Sequence, residues 1–94
     1  MIVPADYAET YAAVKYAGAH SGPFYIRVAR ASLPDVFDDD YLLTTEAKLI
    51  RQGVDITIVT NGETLQECID ACVKLESFGI DAELLHIPFV KPFD

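Results

Sequence analysis

One stretch of this chain leaves little architectural freedom. Asp55-Ile56-Thr57-Ile58-Val59-Thr60 is a β-rich run, and Ala82-Glu83-Leu84-Leu85-His86-Ile87 is a second that ends at Pro88. Between them Leu65, Cys68, Ile69, Cys72, Val73 and Leu75 recur at the spacing of one helical face, which predicts a helix from about Glu63 to Phe78. Gly79 supplies a left-handed stop, after which Ile80 can fold back on the last turn. A strand, a helix of this length and another strand form a βαβ unit, for which parallel pairing through a right-handed crossover is the strong expectation.

The first third of the chain reads the same way. Residues 1–4 are short and β-prone, and Asp6-Tyr7-Ala8-Glu9 has the form of a capping box in which Asp6 accepts from the Glu9 amide. Tyr7, Tyr11, Val14 and Ala17, flanked by Ala8 and Ala12, then predict a helix whose small, apolar stripe packs on a sheet. Gly22-Pro23 closes it, and Phe24-Tyr25-Ile26-Arg27-Val28-Ala29 predicts a strand. Residues 31–46 lose all periodicity: Leu33-Pro34 breaks regular structure and Asp35, Asp38, Asp39 and Asp40 crowd together, as in a solvated acidic linker. Ala47-Lys48-Leu49-Ile50 reads as a short strand that Gln52-Gly53 turns toward the next. The expected fold is therefore α/β, two βαβ units with parallel strands joined by an acidic linker.

With 51% hydrophobic and 23% charged residues among 94, the chain has enough apolar surface to fold. A chain this short buries only roughly 60 to 65% of its unfolded surface, so its stability is marginal without a partner or staple. The charge of −8, from 7 Lys plus Arg against 15 Asp plus Glu, argues against nucleic acid or an anionic membrane as a partner. No run approaches the roughly 18 apolar residues of a membrane span, and Met1-Ile2-Val3-Pro4 lacks signal-peptide form, so a cytoplasmic location is expected. Cys68 and Cys72, four apart on one helix, are placed for burial and not for a mutual disulfide.

Chemistry-bearing positions are few. Thr60-Asn61-Gly62-Glu63 stands where α/β sheets bind anions, but no glycine-rich phosphate motif is present and Glu63 opposes a phosphate, which favours an ordinary strand-to-helix turn. The Asp cluster lacks the spacing and central Gly of a calcium loop. Cys68, Cys72, His20 and His86 lack zinc-ligand spacing, and neither histidine has triad partners, so no metal site and no catalytic nucleophile is assigned. Arg27 and Arg30, at a strand end, are suited to hold a phosphate or carboxylate in a forked geometry. The residues alone weigh that role equally with salt bridges to the acidic loop.

Four segments, in order, carry a family resemblance: Val3-Pro4-Ala5-Asp6-Tyr7-Ala8-Glu9-Thr10, Gly22-Pro23-Phe24-Tyr25-Ile26-Arg27-Val28-Ala29-Arg30, Asp55-Ile56-Thr57-Ile58, and Lys91-Pro92-Phe93-Asp94. Together they resemble the C-terminal portion of transketolase. Ala31 follows Arg30 where deoxyxylulose phosphate synthases usually have Gly, and 2-oxoacid dehydrogenase β subunits usually lack the paired-Arg strand end. Thr45-Glu46-Ala47-Lys48 departs from the Gly-Lys-Ala typical of the family near this point.

The resemblance implies that residues 1–30 are the end of a pyrimidine-binding-like domain, 31–46 a linker, and 47–94 the first βαβ part of a C-terminal-like domain. It implies an enzyme that moves two-carbon ketol units between sugar phosphates with thiamine diphosphate and Mg2+. The family's residues for cofactor and metal lie outside the matched segments, so none is assigned in this chain alone. Arg30, in Arg30-Ala31-Ser32-Leu33-Pro34, resembles the arginine that holds the substrate phosphate. The expected partner is a second copy, as a homodimer, or the remaining transketolase portions. The alternative expectation is a small α/β interaction module without catalytic activity.

Overall fold

The computed structural model describes residues 1–30, 34–38 and 40–92. Asp6 opens helix α1 (Tyr7–Ala19) by accepting the Glu9 amide through its side chain, the local bond its capping pattern predicts. Three strands follow, β1 (Lys48–Arg51), β2 (Ile56–Thr60) and β3 (Ala82–His86). Helix α2 (Leu65–Ser77) connects the last two after a short 3-10 turn at Gly62–Thr64. Its end is set by Gly79 at φ +79°: the Gly79 amide donates to the Glu76 carbonyl and the Ile80 amide to that of Leu75, the paired bonds of a Schellman motif.

The sheet order is β1-β3-β2. β2 and β3 pair in parallel from Ile56 opposite Ala82 to Thr60 opposite His86, as the βαβ pattern requires. Alternation along β3 sends Ala82, Leu84 and His86 to one buried face and leaves Glu83 and Leu85 half-buried on the other. Leu65 and Cys72 of α2 close over Ala82 and Leu84, with Ala5 completing the cluster. A second cluster joins Ile2, Ala13 and Phe89, with Tyr16, Phe24 and Ile26 against it.

Three expectations are corrected. The sheet is mixed, because β1 runs antiparallel to β3, with Leu49 opposite Leu85 and an irregularity before Arg51. β1 does not form a hairpin with β2; β3 lies between them. Joining β1 to the far side of β3 carries the chain across the Ala82 backbone at Gly53. The first βαβ unit is reduced to single bridges, Ile2 parallel to Ile26 and Ile2 antiparallel to Phe89. Among the described residues its second run has one short partner: the backbone bonds Ile2 to the Tyr25 carbonyl and Arg27 to the Ile2 carbonyl fasten one edge, and Tyr25 and Val28 stay exposed.

The third correction concerns α1. Tyr7, Tyr11 and Val14, assigned to its buried stripe, are 72%, 63% and 59% exposed, while Glu9 and Ala13 face inward. Val73 of α2, also assigned inward, is exposed. The segment of residues 34–38 and 40–46 has exposed aspartates at 35, 38 and 40, yet Val36, Phe37 and Tyr41 are half-buried against the body of the domain. Asp39 and residues 31–33 lie outside the described residues.

Two glycines report this packing in opposite ways. A Cβ at Gly53 would collide with the Ala82 carbonyl group, whereas nothing lies within 4 Å of one at Gly18. Gly53→Ala is expected to destabilise the fold by about 1–3 kcal/mol, since backbone must move. Gly18→Ala, inside α1, is expected to stabilise it by about 0.5–1 kcal/mol. Urea unfolding of both variants measures the two signs.

Candidate functional site

A carboxylate at a helix N-terminus normally stays in water, with one oxygen on the helix. Here two carboxylates from the first turn of α1 are buried. Asp6 Oδ1 accepts the Glu9 amide at 2.9 Å, and its Oδ2 accepts the Val36 amide at 2.8 Å and the Phe37 amide at 2.6 Å. Glu9 is 0% exposed; its Oε1 accepts the Ala5 amide at 2.7 Å and faces His86 Nε2 at 2.6 Å. The Tyr41 hydroxyl donates to Glu9 Oε2. A carboxylate that already accepts from Ala5 and Tyr41 offers His86 an acceptor, so Nε2 donates to Oε1, while Nδ1 is buried and, among the described residues, without a hydrogen-bond partner. The Phe37 ring lies against both His86 and Tyr41, with centroids at 5.6 and 4.4 Å.

This network raises the Tyr41 hydroxyl well above its ordinary pKa of 10.0: burial is the first cause, followed by the bond to Glu9 and the negative charges of Glu9 and Asp6. From the sequence, Asp6 and Glu9 are placed in a capping box and His86 in a surface or hydrogen-bonded structural role, but nothing there brings the three together. The signal was present for one, because His86 is two residues beyond Leu84 and four beyond Ala82, on the inward face of the same strand. Tyr41 has no comparable signal.

The Arg27 guanidinium lies 3.8 Å from Glu63, not on the acidic segment. Arg30 is exposed and, among the described residues, has no hydrogen bond or ion pair. The strand-to-helix turn at Thr60–Glu63 is closed: Gly62, at φ +65°, is buried against Val3, whose Cγ1 would stand 2.5 Å from any Cβ there. Its hydroxyls bond each other, Thr60 Oγ1 to Thr64 Oγ1 at 2.6 Å, and the latter donates to the Asn61 carbonyl. With Glu63 beside it, this turn does not fit a diphosphate.

No group of three or more His, Cys, Asp or Glu among the described residues is arranged to hold a metal ion. Cys72 is buried, Cys68 half-buried, and both are free thiols. His20 is exposed and stacked on Tyr16 at 3.8 Å. A groove of about 330 Å³ runs between α1 and residues 40–43, walled by Tyr11, Tyr16 and Leu43. Among the described residues, no helix is long and apolar enough to cross a membrane.

Fold and site together define a mixed α/β unit with a buried carboxylate network at the start of its first helix. The sequence pattern of the transketolase C-terminal domain matches residues 45–94. An uncharacterized transketolase family protein of Sinorhizobium fredii is 38% identical over all of this chain and 28% of its own length. One of the subunits of an apulose-4-phosphate transketolase, from Actinobacillus succinogenes, is 33% identical over all of this chain and 30% of its own. Among solved structures, a split gene transketolase described as an inactive beta4 tetramer superposes with a TM-score of 0.95 and 37% identity, over 99% of this chain and 31% of that one. The chain belongs to the transketolase family. It spans less than a third of the length of these relatives.

The network predicts a titration. Of the five tyrosines, Tyr41 is expected to keep its proton above its ordinary pKa of 10.0 and to release it only on unfolding. The sign follows from proton binding: above pH 10 the unfolded state has lost a proton that the folded state retains, so stability is full below that pH and falls as pH rises. Ultraviolet difference spectra of tyrosinate against pH, for wild type and Tyr41→Phe, measure it. The two proteins are expected to give the same tyrosinate count until unfolding, when wild type gains one more; an extra tyrosinate in folded wild type would contradict the assignment.

Proposed function

We infer that this chain works as a part of a thiamine-diphosphate-dependent transketolase, moving two-carbon ketol units between sugar phosphates, in which Arg30 binds the substrate phosphate. The observation that carries the reading is an exposed guanidinium without an intramolecular partner among the described residues, in a protein of charge −8. Arg27 and Arg51, by contrast, each stand beside carboxylates of their own chain. An arginine left to solvent in so acidic a setting suits an anion supplied from outside, and its planar fork matches phosphate. In the complete enzyme the cofactor supplies the carbanion chemistry; this chain contributes binding and positioning.

On this reading residues 1–30 end a pyrimidine-binding-like domain, 31–46 connect, and 47–94 begin a C-terminal-like domain. The chain alone is inactive, and the exposed row of Tyr7, Tyr11 and Val14 supports a partner, either the remaining transketolase portions or a second copy. That row also favours the alternative reading, an α/β interaction module, which the substrate experiment separates from the first.

In the complete transketolase assembly, Arg30→Ala is expected to weaken phosphorylated substrate by about 1.5–3 kcal/mol, the range of a hydrogen bond to a charged group. Steady-state kinetics read this as a raised KM for phosphorylated sugar; equal KM values in variant and wild type would remove the phosphate role. Calorimetric titration of the isolated chain with thiamine diphosphate and Mg2+ is expected to give no saturable heat. A micromolar isotherm, on the order of −8 kcal/mol, would show a site this reading does not contain.

A further inference from the structure

The outward face of α1 and the segment beside it form one continuous surface. A hollow of about 370 Å³ on the helix is bounded by Tyr7, Thr10, Tyr11, Val14 and Lys15. It shares Tyr11 and Lys15 with the groove that separates α1 from residues 40–43. On the other wall of that groove Leu42 stands 79% exposed. Its backbone is held in place, because the neighbouring Tyr41 hydroxyl donates to buried Glu9 and the Leu42 carbonyl accepts Lys48 Nζ at 3.2 Å. The surface also carries one cation and one anion. Lys15 is the single charged side chain that α1 turns outward, since Glu9 is buried, and Asp40 lies across the groove from it. Both are exposed, and among the described residues neither forms a hydrogen bond or ion pair.

We propose that this surface is a two-fold contact between two copies of the chain, in which Leu42 of each copy enters the α1 hollow of the other and Lys15 pairs with the partner's Asp40. A two-fold contact must be self-complementary, since each residue meets on the partner what its own counterpart presents. One surface here holds an apolar projection and an apolar hollow, a cation and an anion, with Tyr11 between them. The apolar side chains supply the affinity. The ion pairs set the register more than the strength, because exposed pairs contribute little while like charges set opposite each other cost much. Doubled by the axis, these side chains bury roughly 1,000 Å², the lower end for a specific interface, which implies a dimer in the micromolar range. The proposal goes beyond the reading above and depends neither on Arg30 nor on ketol transfer.

Charge reversal tests it. Sedimentation equilibrium of the 94-residue chain is run at about 0.15 M salt, where repulsion between two chains of charge −8 is screened beyond roughly 8 Å. It is expected to show a monomer-dimer equilibrium and no larger species. Lys15→Glu sets a carboxylate against the partner's Asp40 at both ends of the contact, and Asp40→Lys sets two ammonium groups together. Each is expected to weaken the dimer at least about tenfold. Mixed in equal amounts, the two variants restore opposite charges at both ends of a heterodimer, whose affinity is expected within about threefold of wild type. Damage to folding, or loss of an ion pair within one chain, cannot be repaired by such mixing.

A wild-type chain that stays monomeric up to about 1 mM overturns the proposal and leaves the surface to a different segment or chain, with the reading of Arg30 untouched. A dimer or larger species that is indifferent to both substitutions overturns it as well, and so does a mixture that fails to restore the dimer. Should either charge variant lose its helical circular dichroism, Leu42→Asn decides from an exposed position. Weakening of the dimer by at least about tenfold supports the proposal, and an unchanged dimer overturns it.

Discussion

Withdrawing two carboxylates from water within one helical turn is the constraint on which the rest of this structure depends. Each would cost several kcal/mol if left without partners. Asp6 and Glu9 are instead given six donors: the amides of Ala5, Glu9, Val36 and Phe37, the Tyr41 hydroxyl and His86 Nε2. None is a lysine or arginine, and two come from the start of the helix itself, whose positive end favours the same charge. The other four come from residues 36, 37, 41 and 86. Satisfying the pair therefore requires the middle segment and the end of β3 to arrive at α1 together, and polar bonding here specifies tertiary arrangement.

That dependence explains what could be read from the sequence. The start of α1, the Schellman stop at Gly79 and the parallel β2-α2-β3 unit rest on residues near one another in the chain, and all three appear as expected. The partner of β1 does not: a four-residue strand carries no mark of which neighbour it will join, and β3 takes it in the antiparallel sense. The face of α1 is misread for a related reason. Its most apolar row is exposed, and its buried side holds Glu9, which hydrophobic periodicity counts as an outward residue. Besides the Ala5 amide, its donors come from residues 41 and 86, and no local pattern announces them.

The acidic segment shows the same limit. Its aspartates at 35, 38 and 40 are exposed, in keeping with a charged run, while Phe37 and Tyr41 turn inward onto the network. Apolar surface is also presented outward in two places. One is the α1 row; the other crosses the sheet, where Leu49 and Val59 flank Leu85 in register on the face away from α2, and both flanking residues are half-exposed.

β3 is the last strand in sequence and the middle strand in space, so β1 and β2 do not pair with each other and both wait for residues 82–86. During synthesis, neither ladder between these three strands can close before residues 82–86 have left the ribosome. Until then two β-prone segments have unsatisfied edges, and α2 has no finished surface on which to lay Leu65 and Cys72. Sheet formation is in this sense an all-at-once event, timed by the emergence of the same strand that delivers His86 to Glu9.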